Sequence, residues 1–358
     1  MMKEPAVLVI GTGTIGEPLI GLLADIKDRV GIGEVLFHKQ TPRIEDRPKI
    51  ASLIRRGARL CVDDDKERVR GFEELGFKPE FTKLEAIDRA SVVIDCTPKG
   101  FGNQNKRDYY RNFERNTRGF IAQGSEFGFG KPYVRGVNDA ALEPGEDKYI
   151  QVLSCNTHNI AVLINTIALA DGSDNLELGR FVCIRRANDI SQEGKFVPAP
   201  TVSLHDDSQF GTHHARDAYH LFKTLGLDLN LFSSAMKLNT QYMHAIWFDL
   251  KLRRETSLEE VRSRLQANDR IAITHKRSTN LVFSFGRDHG HYGRILNNTV
   301  VVLPSLHLRG SKEVIGFCFT PQDGNSLLSS VSAALWLLYP EEYEERLQVL
   351  RPYFYNEV

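Results

Sequence analysis

What this sequence lacks narrows it first. Among its 358 residues no apolar run reaches the length of about 18 needed to span a bilayer, so a membrane-spanning helix is excluded and no membrane partner is expected. Neither sign of charge is in excess: Lys plus Arg total 46 and Asp plus Glu total 46. That balance argues against a strongly basic nucleic-acid binder, and no nucleic-acid partner is expected. Cysteines are few and scattered (Cys61, Cys96, Cys155, Cys183, Cys318), with no Cys-x-x-Cys pair. Neither a zinc ribbon nor a disulfide framework is indicated, no metal is expected, and the reducing cytoplasm is the expected setting. The first apolar run, Ala6 to Ile10, is too short for a secretion-signal core and no small-residue cleavage site follows it, so no leader is expected.

What is present is ordinary in bulk and specific in pattern. Hydrophobic residues make up 41 % and charged residues 26 %, enough for a sizeable core in a chain of two-domain length. Ala6 to Ile10 has the length of a buried parallel strand. Gly11, Gly13 and Gly16 follow in the spacing G-x-G-x-x-G, then Leu19, Ile20, Leu22, Leu23 and Ile26 line one face of a helix, and Val35-Leu36-Phe37 opens the next strand. Strand, glycine turn, helix and strand in that order form the context of a dinucleotide-binding unit. The glycines let the backbone approach a pyrophosphate, and the helix start offers free N–H groups and the positive end of its dipole.

Further strands are expected at Ser91 to Cys96, Phe120 to Gly124 and Tyr149 to Leu153, with a long apolar helix from about Ile160 to Ala170. Alternating strands and helices predict an α/β fold with a mostly parallel sheet. After about residue 172 the texture changes. Val182-Cys183-Ile184, Ala272-Ile273, Leu281 to Phe285 and Val300 to Leu303 read as strands of a second sheet. The stretch 188–217 is rich in Gly, Pro, His and Asp and reads as a long functional loop. Ser326 to Leu338 reads as an apolar helix, and Glu341 to Val358 as a surface-packed tail.

An acidic residue at the end of the second strand would favour NAD. Here Phe37-His38-Lys39-Gln40-Thr41-Pro42-Arg43 carries no carboxylate until Glu45. Lys39 and Arg43 suit a 2′-phosphate, so NADP is favoured over NAD. A solvated basic turn is the competing reading.

Cys155 stands in Ser154-Cys155-Asn156-Thr157, between a strand and a helix. A thiol at a helix start has its pKa lowered by the dipole, and the N–H groups there suit an oxyanion. The other four cysteines read as inert core thiols.

The series Gly11-Thr12-Gly13-Thr14-Ile15-Gly16, Gln123-Gly124-Ser125-Glu126, Ser154-Cys155-Asn156-Thr157, Arg185-Arg186-Ala187, His213-His214 and Phe285-Gly286-Arg287-Asp288 resembles the archaeal-type (type II) glyceraldehyde-3-phosphate dehydrogenase family. The resemblance runs to about residue 325. It implies a Rossmann dinucleotide-binding domain over 1–153, an α+β catalytic domain with a mixed or antiparallel sheet over 154–323, and a segment 324–358 returning to the first. It implies that Cys155 is the nucleophile, flanked by Ser154 and Asn156 at the substrate. His213 and His214 then meet substrate phosphate, with Arg216 beside them. Thr14, Ile15, Gly124, Arg186 and Gln322 match cofactor-contacting positions. His244 matches part of a Met-His-x-His element and is the expected base, with Tyr242 standing at the other family histidine. The implied reaction is phosphorylating oxidation of a phosphorylated aldehyde by NADP or NAD in a homo-oligomer, dimer or tetramer.

Departures lie at the substrate end. Thr157-His158-Asn159 replaces the family's Thr-Thr-Gly, the segment His205 to Gly211 carries an insertion, and Thr320-Pro321-Gln322-Asp323 replaces a His-Gln-Glu element. A different aldehyde or semialdehyde on the same scaffold is therefore an alternative. A non-catalytic nucleotide-binding paralogue is another.

Overall fold

The computed structural model describes residues 5–190, 192, 194, 196–321 and 323–358. The chain forms two compact units. The first comprises residues 1–131, 142–152 and 329–349, and the second 132–141, 153–328 and 350–358. This partition is more interleaved than the expected division at 153 and 323. Pro132–Ala141 and the last residues, from Leu350, join the second unit.

The first sheet is built from β1 (Ala6–Ile10), β2 (Glu34–His38), β3 (Ala58–Val62), β4 (Phe81–Thr82), β5 (Val92–Asp95), β6 (Gly119–Gln123), β7 (Lys131–Tyr133) and β8 (Tyr149–Val152). Its order is β4-β3-β2-β1-β5-β6-β8-β7. The pairs from β4 through to β8 are parallel. β1 sits at the centre with Leu8 opposite Leu36 on one side and Val93 on the other. It is buried along its whole length, which is why it reads as an unbroken apolar run rather than an alternating one. The chain order reverses across β1, so its C-terminal end, and the glycine turn after it, lie at a topological switch point. The helix Gly16–Val30 buries Leu19, Ile20, Leu22, Leu23 and Ile26 and stops at Gly31, whose φ of 76° suits a glycine cap.

The second sheet contains β9 (Leu176–Arg185), β10 (Thr201–Val202), β11 (Leu231–Lys237), β12 (Ala245–Leu252), β13 (Ile271–Thr274), β14 (Thr299–Val302), β15 (His307–Arg309) and β16 (Glu313–Phe319). The order is β10-β11-β9-β12-β16-β14-β13, with β15 on β16. It is mixed: β9–β11 and β13–β14 are parallel, while β9–β12 and β12–β16 are antiparallel. Ile160, Leu163, Phe181, Leu221, Phe222 and Phe248 belong to its buried core, which joins this sheet to the helices Cys155–Leu163 and His213–Lys223.

Three local expectations are corrected. Leu281 to Phe285 is not a strand but part of the helix Thr279–His289. Its fully buried positions are Val282 and Gly286, four apart, while Leu281 is half exposed. A five-residue apolar run cannot separate the two periods by itself. The loop expected over 188–217 ends at Thr212, where the helix His213–Lys223 begins, and β10 interrupts it. The helix expected from Ile160 begins at Cys155, and after Leu163 it continues as a π-helical turn through Ile164–Ala168.

Candidate active site

In the first unit, the glycine turn has the shape its spacing implies. Gly11 has φ 98°, and a Cβ there would stand 3.0 Å from the Cys96 carbonyl oxygen. A Cβ on Gly16 would stand 2.0 Å from the Gly11 carbonyl oxygen, so the turn closes only on glycine. Gly13 differs: a Cβ there meets nothing within 4 Å. The space over Gly13 and the helix start are what a dinucleotide's pyrophosphate requires, so the residues fit such a group. Thr14 is buried and Ile15 occupies the residue before the helix. Gly124 has φ 75° just past β6, and its carbonyl accepts from the Gln151 side chain at 3.0 Å.

Beyond β2, Lys39 is engaged by a carboxylate that the short reading to Glu45 did not reach. Its Nζ lies 2.6 Å from Asp46 Oδ2. Lys49 approaches the same carboxylate at 3.3 Å and Glu17 at 3.5 Å. Burial opposes ionisation of Asp46, but Lys39 and then Lys49 hold its pKa below the usual value. Arg43 is exposed.

In the second unit, Ser154 is the N-cap of the helix that starts at Cys155, and its Oγ accepts from the Thr157 N–H at 3.4 Å. This puts the thiol at the helix start, on a half-buried residue whose sulfur lies inward. The expected lowering of its pKa is not what the surroundings produce. Burial, followed by the Asp323 carboxylate, pushes the thiol well above its ordinary range, with Arg186 opposing. The field of one helix start is too small to offset both.

His244 lies just before β12, and its carbonyl accepts from the Thr320 N–H at 2.9 Å. Its Nδ1 is 3.8 Å from Cys155 Sγ and 3.0 Å from Asn156 Oδ1. Burial, then Arg186, lowers its pKa to about 3, so the ring is neutral near pH 7. Asn156 Oδ1 also accepts from the Thr320 hydroxyl at 3.2 Å, and Asn156 Nδ2 lies 3.4 Å from His214 Nε2. Arg186 and Asp323 form a buried ion pair of 2.8 Å beside the thiol. Burial opposes the charge on Asp323, but Arg186 outweighs it and lowers the carboxyl pKa to about 2.

The structure thus brings together Cys155, Asn156, His244, His214 and Arg186 from four widely separated stretches. It does not do the same for every expected residue. His213 is half-buried with its ring stacked obliquely on His214 at 4.0 Å between centroids. Arg216 is turned to the buried Asp217, at 3.0 Å. Tyr242 is exposed and packs edge-on against Phe283. Gln322 lies outside the described residues. Three participants were given no role by the sequence reading: Asn159, Thr320 and Asp323. The only signal was that they fall in the stretches where the family pattern is broken.

The fold defines a class, a two-unit α/β protein with a Rossmann-like parallel sheet. No family model matches the chain. Among curated proteins it is similar to glyceraldehyde-3-phosphate dehydrogenase of Metallosphaera sedula, 29 % identical over 315 residues, covering 86 % of this chain and 85 % of the relative. The enzyme of that name from Sulfolobus acidocaldarius is 28 % identical over 320 residues, covering 87 % and 86 %. That of Saccharolobus islandicus is 30 % identical over 272 residues, covering 75 % and 72 %. The chain belongs to the glyceraldehyde-3-phosphate dehydrogenase family, as a diverged, archaeal-type member.

Proposed function

We propose that this protein is an NAD(P)-dependent phosphorylating aldehyde dehydrogenase of the glyceraldehyde-3-phosphate type, acting through Cys155. The observation that carries the reading is the approach of His244 Nδ1 to Cys155 Sγ, 3.8 Å, at a helix start. The first unit holds the dinucleotide through Gly11, Gly13, Gly16 and Lys39, and NADP is preferred. A bound nicotinamide dinucleotide supplies the acceptor for the aldehyde's hydride.

The chain's own residues do the rest. The Cys155 sulfur bonds to the aldehyde carbon as the carbonyl π bond breaks, and the thiol proton ends on the oxygen. This is a thiohemiacetal. Neutral His244 takes the hydroxyl proton as the C–H bond breaks with loss of its hydride and the carbonyl reforms, leaving a thioester on Cys155. An oxygen of inorganic phosphate then attacks the thioester carbon, the C–S bond breaks, and the products are an acyl phosphate and the Cys155 thiolate. Asn156 and Ser154 fix the geometry of the attacking residue. The same reading carries a cytoplasmic setting, supported by five free cysteines, and a dimer or tetramer, supported by the family.

One observation favours a second reading, the same chemistry on a different aldehyde. Both ring nitrogens of His214 are engaged inside the protein, and Arg216 is paired with Asp217. These residues are poorly disposed to anchor a substrate phosphate.

The test is reduction of NADP or NAD by the purified protein with phosphate and glyceraldehyde 3-phosphate, followed by absorbance. Turnover lost in Cys155→Ser supports the leading reading. Without turnover, rapid alkylation of Cys155 supports the second. An unreactive Cys155 supports a non-catalytic paralogue.

A further inference from the structure

His244 can serve as a base only through a ring nitrogen that carries no proton, and the surrounding hydrogen bonds decide which one that is. The chain of bonds begins on a group that cannot turn over, the backbone carbonyl of Cys155. That oxygen accepts from Asn159 Nδ2 at 2.8 Å, which fixes the orientation of the Asn159 amide. The second hydrogen of the same nitrogen points to Thr320 Oγ1 at 3.0 Å. Thr320 Oγ1 therefore accepts from Asn159, and its own hydrogen is left to donate to Asn156 Oδ1 at 3.2 Å. With Oδ1 on that side, the His244 nitrogen 3.0 Å away must be the N–H.

The other end of the network agrees. Ser233 Oγ accepts from the Ala215 N–H at 3.0 Å and donates to the Thr212 carbonyl at 3.3 Å. The Thr212 hydroxyl then donates to Ser233 Oγ at 2.7 Å and accepts from His214 Nδ1 at 3.1 Å. His214 Nε2 is left bare, as an acceptor for Asn156 Nδ2 at 3.4 Å. Asn156 is thus read in the same orientation from both directions, and Asn159, Asn156 and Thr320 are all buried.

We propose that Thr320 and Asn159 are positioning residues that lock Asn156 and hold His244 with its proton on Nδ1, making Nε2 the proton-accepting atom. The Nδ1–H then faces both Asn156 Oδ1 and the Cys155 sulfur, so it donates toward a thiolate and cannot take the thiol's proton. This inference rests on the proposed role of Cys155 and His244. Asn159 and Thr320 sit on stretches where the sequence departs from the family pattern, Thr157-His158-Asn159 and Thr320 to Asp323.

The test is a long-range proton–nitrogen spectrum of the whole protein labelled with 15N-histidine, with His244 assigned from His244→Asn. A pyrrole-type shift at Nδ1 and a pyridine-type shift at Nε2 are expected in the unmodified chain. Thr320→Val should mix the two tautomers and lower kcat about tenfold with KM within about twofold, and Thr320→Ser should restore both. A proton on Nε2 in the unmodified chain overturns the proposal, whether or not Thr320→Val folds. So does an unchanged tautomer in a folded Thr320→Val. Because the spectrum needs no aldehyde, failure of turnover with glyceraldehyde 3-phosphate counts against the proposed function alone.

Discussion

Arg186 Nη2 lies 2.8 Å from Asp323 Oδ2, with both side chains buried beside the Cys155 thiol. Asp323 holds φ at 65°, one of two non-glycine residues with positive φ among the described residues. An aspartate tolerates that region better than most side chains, and the ion pair fixes it there. The pair sets a charge balance at that thiol. The carboxylate disfavours a thiolate, and the guanidinium favours one.

Asp323→Asn keeps an oxygen for Arg186 and tolerates the same backbone, but it removes the negative charge. The thiol pKa should fall, and alkylation of Cys155 by iodoacetamide at pH 7.5 should speed up several-fold. Stability should drop by up to about 3 kcal/mol, because the buried Arg186 cation loses the nearer of two carboxylates and keeps only the half-exposed Asp189, at 3.1 Å. Urea unfolding checks the second effect. An unchanged alkylation rate would mean that the carboxylate does not govern the thiol.

The buried histidines set the acid limit of stability. Burial lowers His158 to about 4 and His244 to about 3. As pH falls below 6.5 the unfolded chain takes up these protons and the folded chain does not, so stability declines. For His158 the loss is about 2 kcal/mol by pH 5. Asp323, lowered to about 2, adds its loss only below the unfolded value of 3.8. The urea midpoint should fall steadily from pH 7 to 5, and His158→Gln should flatten that slope. An equal slope in the variant would count against it.

The two turn glycines should fail differently. Gly16→Ala puts a methyl 2.0 Å from the Gly11 carbonyl oxygen and should lower the melting temperature sharply. Gly13→Ala meets nothing within 4 Å and should leave the melting temperature of the free protein nearly unchanged. It should nevertheless weaken dinucleotide binding about tenfold or more, read by tryptophan quenching or calorimetry, because the methyl occupies the pyrophosphate's space. Normal binding by Gly13→Ala would place the dinucleotide elsewhere.

Cofactor preference should follow the balance between Lys39 and Asp46. Lys39→Ala should weaken NADP binding about tenfold and leave NAD nearly unaffected, since only NADP carries the 2′-phosphate. Asp46→Asn should tighten NADP binding by releasing Lys39 from its 2.6 Å partner. Parallel titrations with both dinucleotides read the ratio.

The parallel sheet was legible because burial on both faces leaves β1 as an unbroken apolar run and β5 and β6 as apolar runs closed by Asp95 and Gln123, and because glycine spacing is a backbone requirement written locally. The segment Leu281 to Phe285 was not, since five apolar residues satisfy a helix or a strand until neighbours choose which side is buried. The position of Cys155, between a strand and a helix, was legible and marked it as a candidate. The residues that condition it were not. Asn159, Thr320 and Asp323 are polar side chains of unremarkable type, and they acquire a role only where a backbone carbonyl, a histidine and a guanidinium are held around them.

The sequence by itself determined the dinucleotide turn, the nucleophile candidate and the family. Each depends on residue type at short, fixed spacing, which local geometry reads directly. The tertiary structure alone decided the charge beside the thiol, the histidine that meets it and the commitments of His214 and Arg216. These depend on distances between residues up to 168 positions apart, from Cys155 to Asp323. Burial then turns those distances into shifted pKa values and fixed hydrogen-bond directions, because no water competes for the same groups.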